Sequence, residues 1–155
     1  MKVEKRLNEL GISIPEASPP GAMYVPVKQV GNILFVSGQI PIRDGHVEFT
    51  GKLKSDDDLE HGKAAARLCV INMLAALKDY LKDLDRVKNI VKLQAFVSSD
   101  KGFDKQHLVA NAASQMLYDI FGEAGRHART AVGTNQLPMD VTVEIESIVE
   151  IEGGP

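Results

Sequence analysis

Cysteine and tryptophan are almost missing from this chain, and each scarcity removes a class of protein. The 155 residues contain one cysteine, Cys69, and no tryptophan. A single thiol forms neither an intrachain disulfide nor a cysteine zinc site. All aromatic residues together make up 5% of the chain, which gives little material for a platform that stacks nucleic acid bases. Disulfide-stapled folds and base-stacking folds are therefore disfavoured.

Long apolar runs and an excess of one charge are missing as well. The N-terminus, MKVEKRLNEL, is charged and lacks the apolar core of a signal peptide. No segment approaches the roughly 20 apolar residues of a membrane span. The formal net charge of -3 creates no positive field that would attract a polyanion. We therefore expect a soluble cytoplasmic protein whose partner is neither a membrane nor nucleic acid.

The length fits one domain with a short extension ahead of it. Val3 to Leu10 has the pattern of an amphipathic helix closed by Gly11, and the following IPEASPPG is typical of an ordered connector. We predict that residues 1–22 form an N-terminal extension and that residues 23–155 form a single domain.

Two periodicities alternate through this domain. Apolar residues recur at every second position in five segments and at helical spacing in two. Gly122 supplies the glycine expected after the second helix. The predicted strands are Tyr24–Val30, Ile33–Gly38, Asn89–Ser98, His127–Gly133 and Val141–Val149, and the predicted helices are Ser55–Leu81 and Phe103–Phe121. The order β-β-α-β-α-β-β predicts an α+β fold in which both long helices cover one face of a mixed sheet.

Several reactive side chains have ordinary structural explanations. Cys69 lies on the apolar stripe of the first long helix, where a buried thiol is the usual occupant. The histidines lack the spacing of metal ligands, and the aspartates at Asp56 to Asp58 suit a helix start. No metal site is expected.

The uncovered face of the sheet mixes charged and apolar side chains. Alternation in the last strand places Glu144 and Ile148 on the side away from the helices, together with Gln94 and Phe96 of the middle strand. Such a face carries too many charges to be the buried core of one chain and too many apolar side chains to be left in water. A closed homo-oligomer that covers it is the expected assembly.

Arg129 and Glu144 stand out among the charges of the last two strands. If these strands pair around TNQLPMD, both side chains approach the same edge of the uncovered face, one as a planar donor and the other as an acceptor. A structural salt bridge and a ligand site both fit these residue types. Spacing alone leaves the two alternatives open.

Three segments carry a resemblance to a known family: YVPVKQVGNILFVSGQIP, NIVKLQAFVSS and HARTAVGTNQLPMDVTVEIE. They resemble the RidA/YjgF family of reactive imine deaminases, over roughly Tyr24 to Glu150. The resemblance implies a chorismate-mutase-like fold and a homotrimer whose three sheets form a central barrel. It also implies clefts between subunits that bind a small carboxylate, with no metal or organic cofactor.

The resemblance assigns roles to particular residues. The position of Arg129 binds the substrate carboxylate, and that of Glu144 positions the water that attacks the imine carbon. The position of Tyr24 lines the cleft from the neighbouring subunit, while Ser37 to Gln39 supply backbone and hydroxyl groups. The implied substrate-binding residues are Tyr24, Ser37, Gly38, Gln39, Arg129 and Thr130.

The chain departs from the family pattern after the arginine. The family usually continues with serine and cysteine, whereas Thr130 and Ala131 stand here. The N-terminal extension and the GEAGRHAR segment resemble a longer branch of the family. His127 fits either a polar contact at the cleft mouth or a solvent-facing strand position.

Three functions follow from these features. The first is hydrolytic deamination of 2-imino acids or enamines to 2-oxo acids and ammonia. The second, motivated by the absent cysteine, is a non-catalytic or regulatory trimer that binds a small carboxylate. The third is an endoribonuclease, against which stand the acidic balance of charges and the absence of a paired histidine base and acid.

Overall fold

Within residues 1–153, which the computed structural model describes, five strands form one mixed sheet and two long helices cover one of its faces. This architecture confirms the predicted α+β fold. A two-stranded hairpin and a short N-terminal helix complete the described chain. In chain order the elements are α1 (Lys2–Glu9), β1 (Val27–Val30), β2 (Ile33–Gln39), β3 (Ile42–Arg43), β4 (His46–Val47), α2 (Leu59–Leu81), β5 (Val87–Ser98), α3 (Gln106–Phe121), β6 (Ala128–Thr134) and β7 (Val143–Ile151).

The sheet order is β1-β2-β7-β5-β6, with β5 and β6 parallel and the other neighbours antiparallel. The last two strands therefore do not pair with each other, because β5 lies between them. The crossover through α3 returns β6 parallel to β5, as such crossovers require. Residues 135–142 then carry the chain across β5, and β7 fills the place between β5 and β2.

One irregularity in β5 changes which side chains are buried. The alternation predicts that Val91 faces the helices, but Val91 is 40% exposed and Ile90 is 1% exposed. The register with β7 shifts between Ile90 and Lys92. A bulge of this kind inserts one residue and reverses the facing of those before it. From Leu93 to Val97 the predicted alternation holds.

A hairpin absent from the prediction follows β2. Asp44 and Gly45, between β3 and β4, have φ values of 53° and 79°. Two left-handed residues in succession are what a type I′ hairpin turn requires, and Asp-Gly is a preferred pair for it. The sequence carried this signal in RDGH, but the flanking strands have only two residues each.

The core lies between the helices and the sheet. Cys69 is fully buried there, as predicted, and its Sγ donates to the carbonyl oxygen of Val143 at 3.5 Å. Burial raises the pKa of this thiol well above its usual value, which keeps it protonated. None of the helices among residues 1–153 has the length and apolar content to cross a bilayer.

Candidate active site

A cavity of about 310 Å³ opens where β2 ends. Tyr24, Gly38, Gln39 and Glu144 all line it, so one chain brings together four of the residues singled out in the sequence. Tyr24 borders the cavity that contains Glu144 of its own chain. A cavity of this size lies at the lower end of the range that small ligands occupy.

Gly38 makes room for the carboxylate of Glu144. The register between β2 and β7 shifts between Val36 and Gln39, so Ser37 and Gly38 form a bulge. A Cβ atom at position 38 would overlap Oε2 of Glu144. A side chain at position 38 would therefore displace the carboxylate of Glu144 from the place that it occupies beside Gly38.

The environment of Glu144 makes its carboxylate easier to protonate than an exposed one. Partial burial raises the pKa of this carboxyl above its usual value, and the nearby charge of Glu146 raises it further. In the described part of the chain, no salt bridge within 4.0 Å neutralises Glu144. A half-buried carboxylate without a cation and with a raised pKa is well suited to accept a proton from water.

Arg129 lies elsewhere. Its partner in the register with β5 is Leu93, which is fully buried, so Arg129 lies on the helix-covered face. Its Nη1 donates to Oδ1 of Asn111 at 2.8 Å and to Oγ of Ser114 at 3.2 Å, both on α3. By contrast, Glu144 is paired with Phe96 in the register of β5 and β7, so its side chain leaves the backbone on the uncovered face.

The predicted approach of Arg129 and Glu144 to one edge is therefore wrong within a single chain. The two residues line different cavities. They form no salt bridge with each other in residues 1–153, so the alternative of an intrachain salt bridge is excluded as well. The physical reason is the strand order, which separates β6 from β7 by the full width of β5.

His127 shares the cavity of Arg129. Burial lowers the pKa of the imidazole, a hydrogen bond with the Ala128 carbonyl opposes this, and the charge of Arg129 lowers the pKa further. His127 is half-buried rather than solvent-facing. A neutral imidazole beside a guanidinium makes this second cavity a polar, positively charged surface.

Ser37 and Thr130 lie on the uncovered face of the sheet. Oγ of Ser37 donates to the carbonyl oxygen of Val25 at 2.7 Å, which ties the end of β2 to the segment before β1. Thr130 is paired with Gln94 in the register of β5 and β6, on the opposite side from Arg129. Neither residue lines the cavity of Glu144 or that of Arg129.

The cavity of Glu144 also contains residues that sequence reasoning missed. Asn72 on α2 donates through Nδ2 to the carbonyl oxygens of Ile40 at 2.8 Å and Ile42 at 2.9 Å, which fixes the chain after β2. An amide within the apolar run CVINMLAAL was a signal that could have identified it. The remaining missed residues are Pro26, Ile40, Ile42, Ala75, Ala76, Pro138, Met139 and the segment Ala17–Gly21.

Comparison with known proteins gives consistent relatives. The family described as "YjgF/chorismate_mutase-like, putative endoribonuclease" matches residues 4–150. Protein TCP17 of Trypanosoma cruzi is 43% identical over 151 residues, which cover 97% of this chain and 94% of that protein. The 2-iminobutanoate/2-iminopropanoate deaminase of Dermatophagoides farinae is 30% identical over 142 residues, which cover 91% of this chain and 95% of the deaminase.

A solved structure with a similar fold comes from Agrobacterium tumefaciens. Atu1372, a protein of unknown function, superposes with a TM-score of 0.89 at 45% identity, covering 97% of this chain and 92% of Atu1372. At this coverage the similarity includes most of the N-terminal extension.

Proposed function

Because the chain belongs to the YjgF/chorismate mutase-like family, we propose that it hydrolyses 2-imino acids to 2-oxo acids and ammonia. The observation that carries this proposal is the carboxylate of Glu144, held against Gly38 in a small cavity with its pKa raised by burial. The similarity to the deaminase of Dermatophagoides farinae supports the same reaction class.

The reaction needs few protein groups, because the imine carbon of a 2-imino acid is already electrophilic. Glu144 accepts a proton from a water molecule while the oxygen of that water forms a bond to the imine carbon. Glu144 returns that proton to the nitrogen, which gives the neutral carbinolamine. The carboxylate then takes the hydroxyl proton as the carbonyl forms and transfers it to the nitrogen as the C–N bond breaks, so that the nitrogen leaves as ammonia. Water is consumed, and a 2-oxo acid and ammonia are released. Orientation of one water and one substrate supplies most of the rate enhancement.

The carboxylate of the substrate binds to Arg129 of a neighbouring subunit in this proposal. Asn111 and Ser114 occupy only Nη1, and no acceptor in residues 1–153 is found for Nη2 or Nε. These donors remain for a bidentate contact with a carboxylate. Because β6 is an edge strand, Arg129 lies at the rim of the chain, where a second subunit can approach it.

The uncovered sheet face supports a closed trimer as the assembly. Phe35 and Val132 lie on this face and are 47% and 41% exposed. A single chain leaves these apolar side chains in water, and a closed ring of subunits removes them from it.

Light scattering is expected to give three times the chain mass of 16.9 kDa. Phe35→Asp removes a large apolar side chain from the uncovered face and places a charge there, and it should dissociate the trimer, because the apolar contact is lost and burying a charge is costly. Lys82→Asp adds the same side chain at the outer end of α2, where Lys82 is exposed, and should leave the mass unchanged. A stable monomer of the unsubstituted protein would contradict the assembly and the clefts between its subunits.

An imine-hydrolysis assay tests the function directly. Imines generated from several amino acids should be consumed faster with the protein than in buffer, with release of ammonia and the matching 2-oxo acid. Affinity for 2-oxo acids without turnover would favour the non-catalytic carboxylate-binding trimer. Cleavage of RNA without imine turnover would favour the endoribonuclease, although no histidine from residues 1–153 lines the cavity of Glu144.

A further inference from the structure

The N-terminal extension is fixed to the domain at its beginning. Val3 and Leu7 of α1 are buried in the core. The backbone amides of Lys2 and Val3 each donate to the carboxylate of Asp85 at 2.8 Å. These hydrogen bonds lower the pKa of Asp85, with the bond from Val3 first among the causes. The extension therefore leaves α1 from a fixed position.

Residues 12–22, which we call the strap, then cross α2. Ile12 and Ile14 are partly buried against the core. Glu16 and Ala17 lie in a groove with Ala75 and Lys78 of α2. Three prolines, Pro15, Pro19 and Pro20, fix φ along the strap and reduce its freedom to move away.

The strap ends as one wall of the cavity that contains Glu144. Ala17 to Gly21 line this cavity. Ile40 and the two alanines Ala75 and Ala76 of α2 also line it. Among residues 1–153, Glu144 is the one charged side chain in the lining. Ala17, the strap prolines Pro19 and Pro20, Ile40, Ala75 and Ala76 form an apolar part of the lining, and Ser18, Tyr24, Gln39 and Asn72 supply uncharged polar side chains to the rest.

We propose that the strap segment Ala17–Gly21 forms the pocket for the substrate side chain and makes the enzyme selective for 2-imino acids with aliphatic side chains. This inference rests on the proposed imine hydrolysis. With the imine carbon beside Glu144 and the carboxylate held by Arg129 of a neighbouring subunit, the side chain is the part of the substrate left to contact the apolar wall. An acidic side chain is disfavoured because it would meet the carboxylate of Glu144 in a small cavity.

The test compares two substrates across matched variants. The quantity measured is the ratio of kcat/KM for the leucine-derived imine to kcat/KM for the alanine-derived imine. A double variant, Pro19→Gly with Pro20→Gly, removes two rings from the wall and should lower this ratio about tenfold, the usual scale for losing apolar contact in a pocket. Ala17→Leu fills the pocket and should lower the same ratio. Pro15→Gly is the control, since Pro15 lies in the strap but does not line this cavity, and it should leave the ratio unchanged.

Binding of 2-oxo acids separates this inference from the proposed reaction. Calorimetry with 4-methyl-2-oxopentanoate and pyruvate gives the corresponding affinity ratio without turnover. If no imine is hydrolysed but the cavity variants alter the affinity ratio, the side-chain pocket stands and the proposed reaction fails. If imines are hydrolysed and neither cavity variant alters the kcat/KM ratio, the pocket is refuted while the reaction stands. Absence of both binding and turnover would refute both.

Discussion

Replacement of Arg129 by lysine is expected to lower kcat/KM for 2-imino acids nearly as far as replacement by alanine. A lysine ammonium is a point charge and cannot form two parallel hydrogen bonds to a carboxylate. Loss of a bidentate, partly desolvated contact costs about 2 to 4 kcal/mol in transition-state binding, roughly a 30-fold to 1000-fold loss of catalytic efficiency. Steady-state kinetics on the two variants measure this loss of kcat/KM.

The hydrogen bonds of Arg129 make it necessary to measure stability as well as activity. Arg129 is tied to α3 through Asn111 and Ser114, so its loss can also affect folding. Thermal unfolding of the same samples separates the two effects. Arg43→Lys is the control, because Arg43 is an exposed hairpin residue paired with Glu48 at 2.8 Å. A lower melting temperature with unchanged activity of the folded fraction would make Arg129 a structural residue.

Local patterns in the sequence predicted the elements of this fold better than their pairing. Alternation and helical spacing depend on neighbours along the chain, so they located both long helices and all five strands of the sheet within a few residues. The partners of a strand depend on distant segments. The insertion of β7 between β2 and β5 was therefore missed. The bulge that buries Ile90 instead of Val91 also depends on the register with β7.

The candidate site was predictable to the extent that it depends on motifs. Gly38 and Gln39 of the SGQ segment and the first glutamate of VEIE do meet in one cavity, through the bulge at Gly38. The contribution of the strap to this cavity was not predictable. The path of the strap depends on α1, and α1 is anchored by Asp85, which lies more than eighty residues away along the chain. The separation of Arg129 from Glu144 likewise follows from strand order, which no local pattern encodes.

The raised pKa of Glu144 predicts how the stability of a Glu144→Gln variant should depend on pH. Since its folded-state pKa lies above its usual value, the folded chain binds this proton more tightly than the unfolded chain does. The stability from this group is present at low pH and is lost as the pH rises through the folded-state pKa. Glu144→Gln should therefore unfold at the same or a higher temperature near pH 7, and any gain should disappear towards roughly pH 4.

Glu144→Gln should also abolish most turnover while sparing ligand binding. Glutamine has the same shape, so it fits against Gly38 and keeps the cavity intact, but it cannot accept a proton from water. The loss should be in kcat, since general base catalysis contributes about 100-fold to 10,000-fold. Affinity for a 2-oxo acid should change little, and Glu150→Gln on the same strand is the control for the substitution itself. If the Glu144→Gln variant kept its kcat, or lost turnover and 2-oxo acid affinity together, Glu144 would not be the residue that activates the water.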